Sequence, residues 1–369
     1  MFESLPIIFK SDSVVCLEPP IPKIAKSVYL LAFAFSAISK IVSMFLILTV
    51  MNAVKAVDNN TVEIVYNGNT AIVTIANNIS NYVSCSSGTS SHVVLTQSSS
   101  FGGVDATKDN EDGEIIYVLK GTSSDGEFYL TGSFKCSLEL NGLILTNSSG
   151  PAINIQNGKR VSVSAKKETT NTLTDGANDN YNGCYHCKGH TKFKGKGILN
   201  VVGNSKHGVY SKEYIEIKNL TLNITSAKKD GIHCKEYFLL ESGSVNISGV
   251  GDDGIQVELD GTTSTGELSD HEDEDSGNFY MVDGILSISD YKGKAVHADG
   301  SVSFSGGTQN FDVEDISSGI LDIINYDSND FNAVYNLHGA KVSKAHIQNG
   351  LYIIKTENGV RKIFVKACR

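Results

Sequence analysis

Three aspartates at the start of two similar phrases are the residues best placed to do chemistry. Lys229-Asp230-Gly231-Ile232 is followed 23 residues later by Asp252-Asp253-Gly254-Ile255. If the phrases occupy neighbouring coils of a repeat, Asp230 and Asp253 lie within about 5–7 Å and Asp252 is adjacent. Clustered carboxylates repel unless protonated or bridged by a cation, and calcium takes oxygen ligands. The spacing predicts a Ca²⁺ site of Asp230, Asp252 and Asp253; the alternative is turn-forming aspartates that cap backbone amides.

Three lysines recur at the end of the same phrase. They are Lys188, Lys212 and Lys235, and the next two coils carry Glu258 and Asp299 instead. Lysines stacked at about 4.8 Å repel one another, which indicates a row that binds an anionic ligand. The alternative is a solvated strand face on which lysines coincide.

A repeat must position these residues. Its hydrophobic anchor recurs with steps of 32, 24, 23, 23 and 41 residues, at Ile153, Tyr185, Val209, Ile232, Ile255 and Val296. A second row follows two residues on, at Ile155, Cys187, Ser211, Cys234, Val257 and Ala298. Self-similarity at this period indicates a solenoid, and the units alternate as strands do, without helical periodicity. The pattern predicts an all-β, right-handed parallel β-helix with both rows inside.

Strand alternation directs the residues between the two rows outward. These residues are polar or carry rings: Asn154, His186, Tyr210, His233, Gln256 and His297. At about 4.8 Å spacing they form a strip suited to a linear polymer. With the three lysines, all but Asn154 are our candidate ligand-binding residues.

The segments that flank the repeat have separate predicted roles. Residues 57–113 are expected to be an N-terminal β segment that covers the solenoid, and residues 114–312 the β-helix itself. Lys166 to Tyr181 and Thr262 to Ser276 are expected to be polar loops that lengthen two coils, and Ser84 to Thr107 a surface loop. Covers are expected because an open coil exposes a strand edge.

Residues 313–369 have a different pattern, three strands and two turns, which predicts a small C-terminal antiparallel β module. Tyr335 to Val342, Asn349 to Lys355 and Gly359 to Lys366 resemble the C-terminal sorting domain of the type IX secretion system of Gram-negative bacteria. The resemblance implies export to the outer cell surface; the alternative is a cover for the solenoid end.

Residues 1–56 contain two apolar runs followed by Val54-Lys55-Ala56. This pattern indicates a secretory signal peptide with an N-terminal extension, or alternatively a retained membrane anchor. The formal charge of −10 argues against nucleic acid as a partner, and we expect a monomer that meets membranes only through export or surface attachment.

Cysteines could form bridges in an exported chain. Cys187 and Cys234 occupy one row, but the intervening coil places them about 9–10 Å apart, too far for a disulfide. Cys184 and Cys187, with His186 and His190, could hold zinc, although no second ligand pair is evident; the alternative is core and surface positions of a strand.

The repeated phrases, with Leu138 to Leu143 and Gly293 to Gly300, resemble the calcium-containing carbohydrate-binding β-helix proteins, a family similar in fold to the calcium-dependent polysaccharide lyases of family 9. The resemblance covers about residues 114–312. It implies binding of calcium and of acidic plant polysaccharides such as polygalacturonate. In those lyases a further acid follows the Asp-Asp pair, where this chain has Gln256, and Lys294 is the counterpart of their catalytic lysine.

These observations predict a secreted or cell-surface carbohydrate-binding protein that acts without catalysis. The first alternative is a pectate-type lyase, in which calcium acidifies the uronate α-proton and neutral Lys294 removes it. The second is a structural surface or adhesin protein, which needs neither cluster.

Overall fold

The computed structural model describes residues 57–98, 114–261, 275–318, 322–325, 333–336, 340–343, 350–356 and 359–366. Within these ranges the regular structure is three β-sheets and two short 3-10 helices, Asn77–Ile79 and Val313–Asp315. The predicted signal peptide and most of the predicted 262–276 loop lie outside the described residues. No helix in the described ranges is long and apolar enough to cross a membrane.

Sheet 1 contains the repeated phrase, one strand from each coil. Its strands are parallel except for the first pair, which is antiparallel. In order across the sheet they are Val83–Cys85, His92–Gln97, Glu127–Thr131, Ile153–Ile155, Gly183–Cys187, His207–Ser211, Ile232–Lys235, Ile255–Glu258, Val296–Ala298 and Ile316–Ser318.

Sheet 2 takes the other two strands of each coil, as two arms that meet at Cys136–Asn147. One arm continues through Val161–Ala165, Thr191–Gly195, Ile215–Lys218, Tyr237–Leu240, Asn278–Met281 and Val302–Phe304. The other continues through Thr170–Asp175, Ile198–Val202, Leu220–Ser226, Gly243–Ile247, Ile285–Ile288 and Thr308–Asn310. At the N-terminal side the sheet adds Thr61–Asn67, Thr70–Ile75 and Ile115–Ser123.

The predicted parallel β-helix is confirmed. Each coil pairs with the next in the register that the repeat predicts, so that Ile232 lies between Val209 and Ile255. The same register joins Ile153 to Tyr185. Both predicted inward rows are completely buried, at 0% exposure for every member. Burial of apolar surface stabilises the fold by about 25 cal/mol per Å². The burial of these rows is therefore the main contribution to the stacking of the coils.

Ladders of like residues strengthen the stack. Phe238 and Phe279 stack with ring centroids 5.1 Å apart. On sheet 2, the side-chain amide of Asn246 donates to Asn223, which donates to Asn200, both at 2.9 Å. Equivalent positions pair on successive coils, 23 residues apart for the asparagines and 41 for the phenylalanines, so like side chains stack at these positions.

Two predicted loops are wrong in part. Thr170–Asp175, inside the expected 166–181 loop, is a strand paired on both sides. His92–Gln97, inside the expected 84–107 loop, pairs in parallel with Glu127–Thr131 and adds a coil to sheet 1. Both segments alternate buried and more exposed residues, but the buried positions include Gln97 in one strand and Asn171 and Asp175 in the other, which hides the alternation from a hydrophobicity pattern.

Sheet 3 gathers the C-terminal strands Asp322–Asn325, Ala333–Tyr335, Lys341–Val342, Gly350–Thr356 and Gly359–Lys366. The predicted small antiparallel module is present, and the strand Asp322–Asn325 joins it in parallel. Before it, Ile316–Ser318 still pairs with Val296–Ala298, so sheet 1 extends past residue 312.

Candidate functional site

The Asp-Gly-Ile phrases form the turns that lead into sheet 1. The amide of Gly231 donates to the carbonyl of Asp253 at 3.0 Å, which ties successive turns together. A Cβ on Gly231 would lie 2.6 Å from Ile247 Cγ2 and 2.7 Å from the carbonyl oxygen of Gly254. Only glycine allows successive turns to lie this close together. Asp230, the residue before Gly231, therefore lies next to Asp253, the equivalent residue of the following coil.

The predicted acidic cluster is assembled by these turns. Asp230, Asp252 and Asp253 can each place a carboxylate oxygen within 4.8 Å of the others. The amide of Asp253 donates to Asp230 Oδ1 at 3.1 Å. Asp230 and Asp253 are buried, whereas Asp252 is exposed. The cluster therefore opens to solvent on the side of Asp252.

Histidines hold the two buried carboxylates. His233 Nδ1 and His207 Nδ1 lie 2.9 and 3.1 Å from Asp230 Oδ2. His297 Nδ1 lies 2.9 Å from Asp253 Oδ2, and the amide of Lys294 donates to Asp253 Oδ1 at 2.6 Å. Burial alone raises the pKa of Asp230, but the bonds to the histidines outweigh burial and lower it. Asp230 is therefore a fixed negative charge.

The residues of the cluster fit a calcium ion. Each carboxylate oxygen has two lone pairs, so the bonds to histidine and backbone leave acceptor positions. The pKa of Asp252 is raised by partial burial and then by the negative charges of Asp230 and Asp253. A Cβ on Gly293 would collide with carboxylate oxygens of Asp252 and Asp253, so the glycine keeps the space beside them open. A cation there would relieve the repulsion and find all-oxygen ligands.

The outward strip differs from the prediction. Asn154, His186, Tyr210 and His233 are all less than 9% exposed, although strand alternation places them on the face opposite the inward rows. His186 is enclosed by Tyr181 and stacks on Tyr210 with ring centroids 5.2 Å apart. Tyr210 continues the stack to His233 at 5.6 Å. The prediction that these four side chains are accessible is wrong, because adjacent rings cover one another and neighbouring turns cover the rings.

Side chains of the strip become accessible to solvent at its last two positions, Gln256 and His297. Gln256 is half-buried, and the side chain of His297 is 39% exposed. Gln256 donates to Glu258 at 3.1 Å. The exposed part of the strip thus lies beside Asp252, at one end of the predicted polymer path.

The three lysines each follow the last paired residue of three successive sheet 1 strands. Lys188 and Lys212 are exposed, and Lys235 is half-buried. Lys212 Nζ lies 3.7 Å from Glu213, and Lys235 Nζ lies 3.2 Å from Asp260. Partial burial lowers the pKa of Lys235, but Asp260 outweighs it and raises the pKa. Among the described residues, Lys188 alone of the three forms no ion pair, so the row carries less free charge than its sequence suggests.

The cysteines are core residues. Cys184, Cys187 and Cys234 are free and buried, and burial raises the pKa of each thiol. Neither Cys184 nor Cys187 belongs to a metal-ligand cluster within the described ranges. The core alternative to a zinc site holds for these cysteines, because both side chains point between the sheets.

A pocket on sheet 2 is also lined by charged residues. Lys192, Lys194 and Lys218 line it with Glu216 and Glu241. Lys192 pairs with Glu216 at 3.3 Å and Lys218 with Glu241 at 2.5 Å. These exposed pairs largely cancel, so the pocket offers an anion less than the sheet 1 face does.

The fold and site define an all-β repeat protein with a stacked polar face and an open acidic cluster. A family profile described as "Carbohydrate-binding domain-containing protein" matches residues 104–360. The chain belongs to this family of carbohydrate-binding domain-containing proteins.

Among solved structures, a polysaccharide lyase-like protein from C. thermocellum, studied as a gadolinium derivative, is similar with a TM-score of 0.49 and 19% identity. The alignment covers 70% of this chain and 99% of that one. No curated protein matches the sequence.

Proposed function

We propose that this protein binds acidic polysaccharide, such as polygalacturonate, as a monomer and in a calcium-dependent way without cleaving it. The observation that carries the proposal is the convergence of Asp230, Asp252 and Asp253 at an open edge of a carbohydrate-binding fold. Calcium there would present unfilled coordination positions to sugar carboxylates.

The proposed binding surface runs along sheet 1 from the acidic cluster to the lysines. Asp252 is exposed at one end, and Lys188 and Lys212 are exposed at the other. Asp230 lies in the turn before the strand Ile232–Lys235, so the distance from Asp230 to Lys235 is at most about 16 Å at about 3.3 Å per residue. A short run of uronates can therefore reach both the bound cation and a lysine.

The surroundings of Lys294 favour binding over elimination. Lys294 Nζ lies 3.7 Å from Asp315 Oδ1, and both side chains are partly exposed. This contact engages the amine with a carboxylate of the protein, whereas a lyase base must reach the uronate α-proton. Gln256 also stands where the lyases have a further acid, so the set of acidic ligands is smaller.

Asp252→Asn is the sharpest test of the proposed surface. Asp252 is exposed and its side chain makes no hydrogen bond with the described residues, so the substitution removes a ligand and leaves the fold intact. Binding to polygalacturonate and to its methyl-esterified, uncharged form should be measured by calorimetry, with calcium and with chelator. Asp283→Asn, an exposed aspartate on another turn, is the matched control.

We expect wild type and Asp283→Asn to bind polygalacturonate only with calcium, and Asp252→Asn to bind much more weakly. Lys188→Ala and Lys212→Ala should weaken binding without changing the melting temperature. Equal binding of charged and uncharged polymer would reject the acidic ligand, and no binding to either would favour the structural surface protein. Calcium-dependent growth of ultraviolet absorbance from unsaturated uronides, abolished by Lys294→Ala, would establish the lyase instead.

We also propose that the protein is exported to the outer cell surface of a Gram-negative bacterium. The support is the apolar pattern of residues 1–56 and the strand pattern of residues 313–369. Deletion of residues 335–369 should leave a folded β-helix in the periplasm of the native cell. Unchanged surface display of that truncated protein would show that the tail serves only as a cover.

A further inference from the structure

A second polar cluster lies at the opposite end of the sheet 1 strands from the aspartates. His190, Glu213 and Glu236 can each place a ligand atom within 4.8 Å of the others. His190 is 6% exposed and Glu236 is 4% exposed, and the side chain of Glu213 is 17% exposed. The cluster shares no residue with the proposed calcium site, and the proposed function does not use it.

The repeat creates this cluster. Glu213 and Glu236 are separated by 23 residues and follow equivalent lysines at the ends of adjacent strands. The imidazole of His190 stacks on Tyr214 with ring centroids 4.3 Å apart, and Tyr214 stacks on Tyr237 at 4.7 Å. This column of rings fixes the plane of the imidazole and directs it towards the glutamates.

The carboxyl groups of Glu213 and Glu236 hydrogen-bond to each other, but one oxygen of Glu236 has no hydrogen-bond partner. Glu236 Oε2 is buried without a hydrogen bond, yet His190 Nε2 lies only 3.3 Å from it. A short approach without hydrogen-bond alignment is expected of two ligand atoms that face a shared cation. A buried acceptor without a donor is destabilising, and a bound cation would offset that cost.

We propose that His190, Glu213 and Glu236 form a binding site for a divalent transition-metal cation of the Zn²⁺ type. One imidazole nitrogen and two carboxylates are zinc ligands, and three protein ligands leave a fourth position for water. Calcium favours six to eight oxygen ligands, so the imidazole selects against it. Glu213, the most exposed member, offers the ion a path from solvent.

The test uses the full-length protein, stripped with chelator and titrated with zinc chloride alone. Glu213→Gln should lose one equivalent of bound Zn²⁺, or weaken its binding by more than the roughly 10–100-fold that loss of an outer partner costs. The variant should fold, because glutamine resembles the protonated acid. Glu216→Gln is the matched control: it lies three residues further on, bonded to Tyr237 and not to the cluster, and should keep the full zinc stoichiometry.

Two results would overturn the proposal. The first is equal zinc binding by wild type and Glu213→Gln. The second is zinc loss in Asp230→Asn alone, which would assign the ion to the cluster of His207, Asp230 and His233. Wild type loaded with Co²⁺ gives a measurement that needs no variant: four-coordinate N/O ligation predicts intense visible absorption bands, and weak six-coordinate bands would contradict it.

Discussion

Comparing Asp253→Asn with Asp252→Asn separates two roles of these aspartates, the binding of calcium and the stabilisation of the fold by hydrogen bonds. Asp253 is 5% exposed and bonds through both oxygens, to His297 and to the amide of Lys294. Asp252, its neighbour in sequence, is exposed and makes no side-chain hydrogen bond with the described residues. Asp253→Asn and Asp252→Asn therefore each remove one negative charge at the proposed calcium ion. They differ in how much they lower the free energy of unfolding when calcium is absent.

The magnitudes follow from these contacts. Without calcium, Asp253→Asn should lower the free energy of unfolding by about 1.5–3 kcal/mol, the value of a hydrogen bond to a charged group. Asp252→Asn should change it by less than about 0.5 kcal/mol, as is usual at the surface. With calcium at 100 times its dissociation constant, wild type should gain about 2.7 kcal/mol, and both variants should lose most of that gain.

Urea denaturation of wild type and of both variants, in chelator and in calcium, measures these changes in the free energy of unfolding, with Asp283→Asn as the control. The reasoning is refuted if Asp252→Asn retains the full calcium stabilisation. It is also refuted if Asp253→Asn costs nothing in chelator, because the hydrogen bonds to His297 and Lys294 would then be without value.

Three other predictions concern the fold, the pH response and the ligand. Gly231→Ala should destabilise the protein by about 1–3 kcal/mol, because its Cβ meets Ile247 and the Gly254 carbonyl, whereas Gly158→Ala meets nothing within 4 Å; equal denaturation midpoints would contradict this. Burial, with Lys188 and Lys206 nearby, lowers the pKa of His186 to about 4. Its contribution to stability is thus complete above the unfolded pKa of about 6.5 and is lost as pH falls towards 4. Each pKa unit is worth about 1.4 kcal/mol, so wild type should lose up to about 3 kcal/mol more than His186→Phe over that range, and equal pH slopes in denaturation would contradict the assignment. Lys188→Ala should reduce the salt dependence of polygalacturonate binding more than Lys235→Ala does, because Asp260 already neutralises Lys235; calorimetry over a salt series measures this, and equal slopes would contradict it.

The sequence by itself determined the coil, its register and the acidic cluster. A strand-only unit repeated at about 23 residues can bury its apolar rows only by stacking, and stacking places equivalent residues on adjacent coils. For that reason Ile232 lies between Val209 and Ile255, and Asp230 meets Asp253. The glycine after each aspartate also determines the cluster, because only glycine allows successive turns to lie close enough for the aspartates to meet.

The tertiary structure alone decided which polar residues are accessible and what they contact. Alternation fixes the face from which His186 and Tyr210 project, but their burial depends on their neighbours. Tyr181 comes from a turn whose path the repeat does not specify, and His207 stacks on Tyr210 from the start of the same strand. The 23-residue spacing of Glu213 and Glu236 was visible in the sequence, yet His190 joins them diagonally across the stack, outside the register of equivalent positions. Strand periodicity determines neighbours along and across a sheet, whereas contacts at the corners depend on how each turn bends, and that is a property of the folded chain.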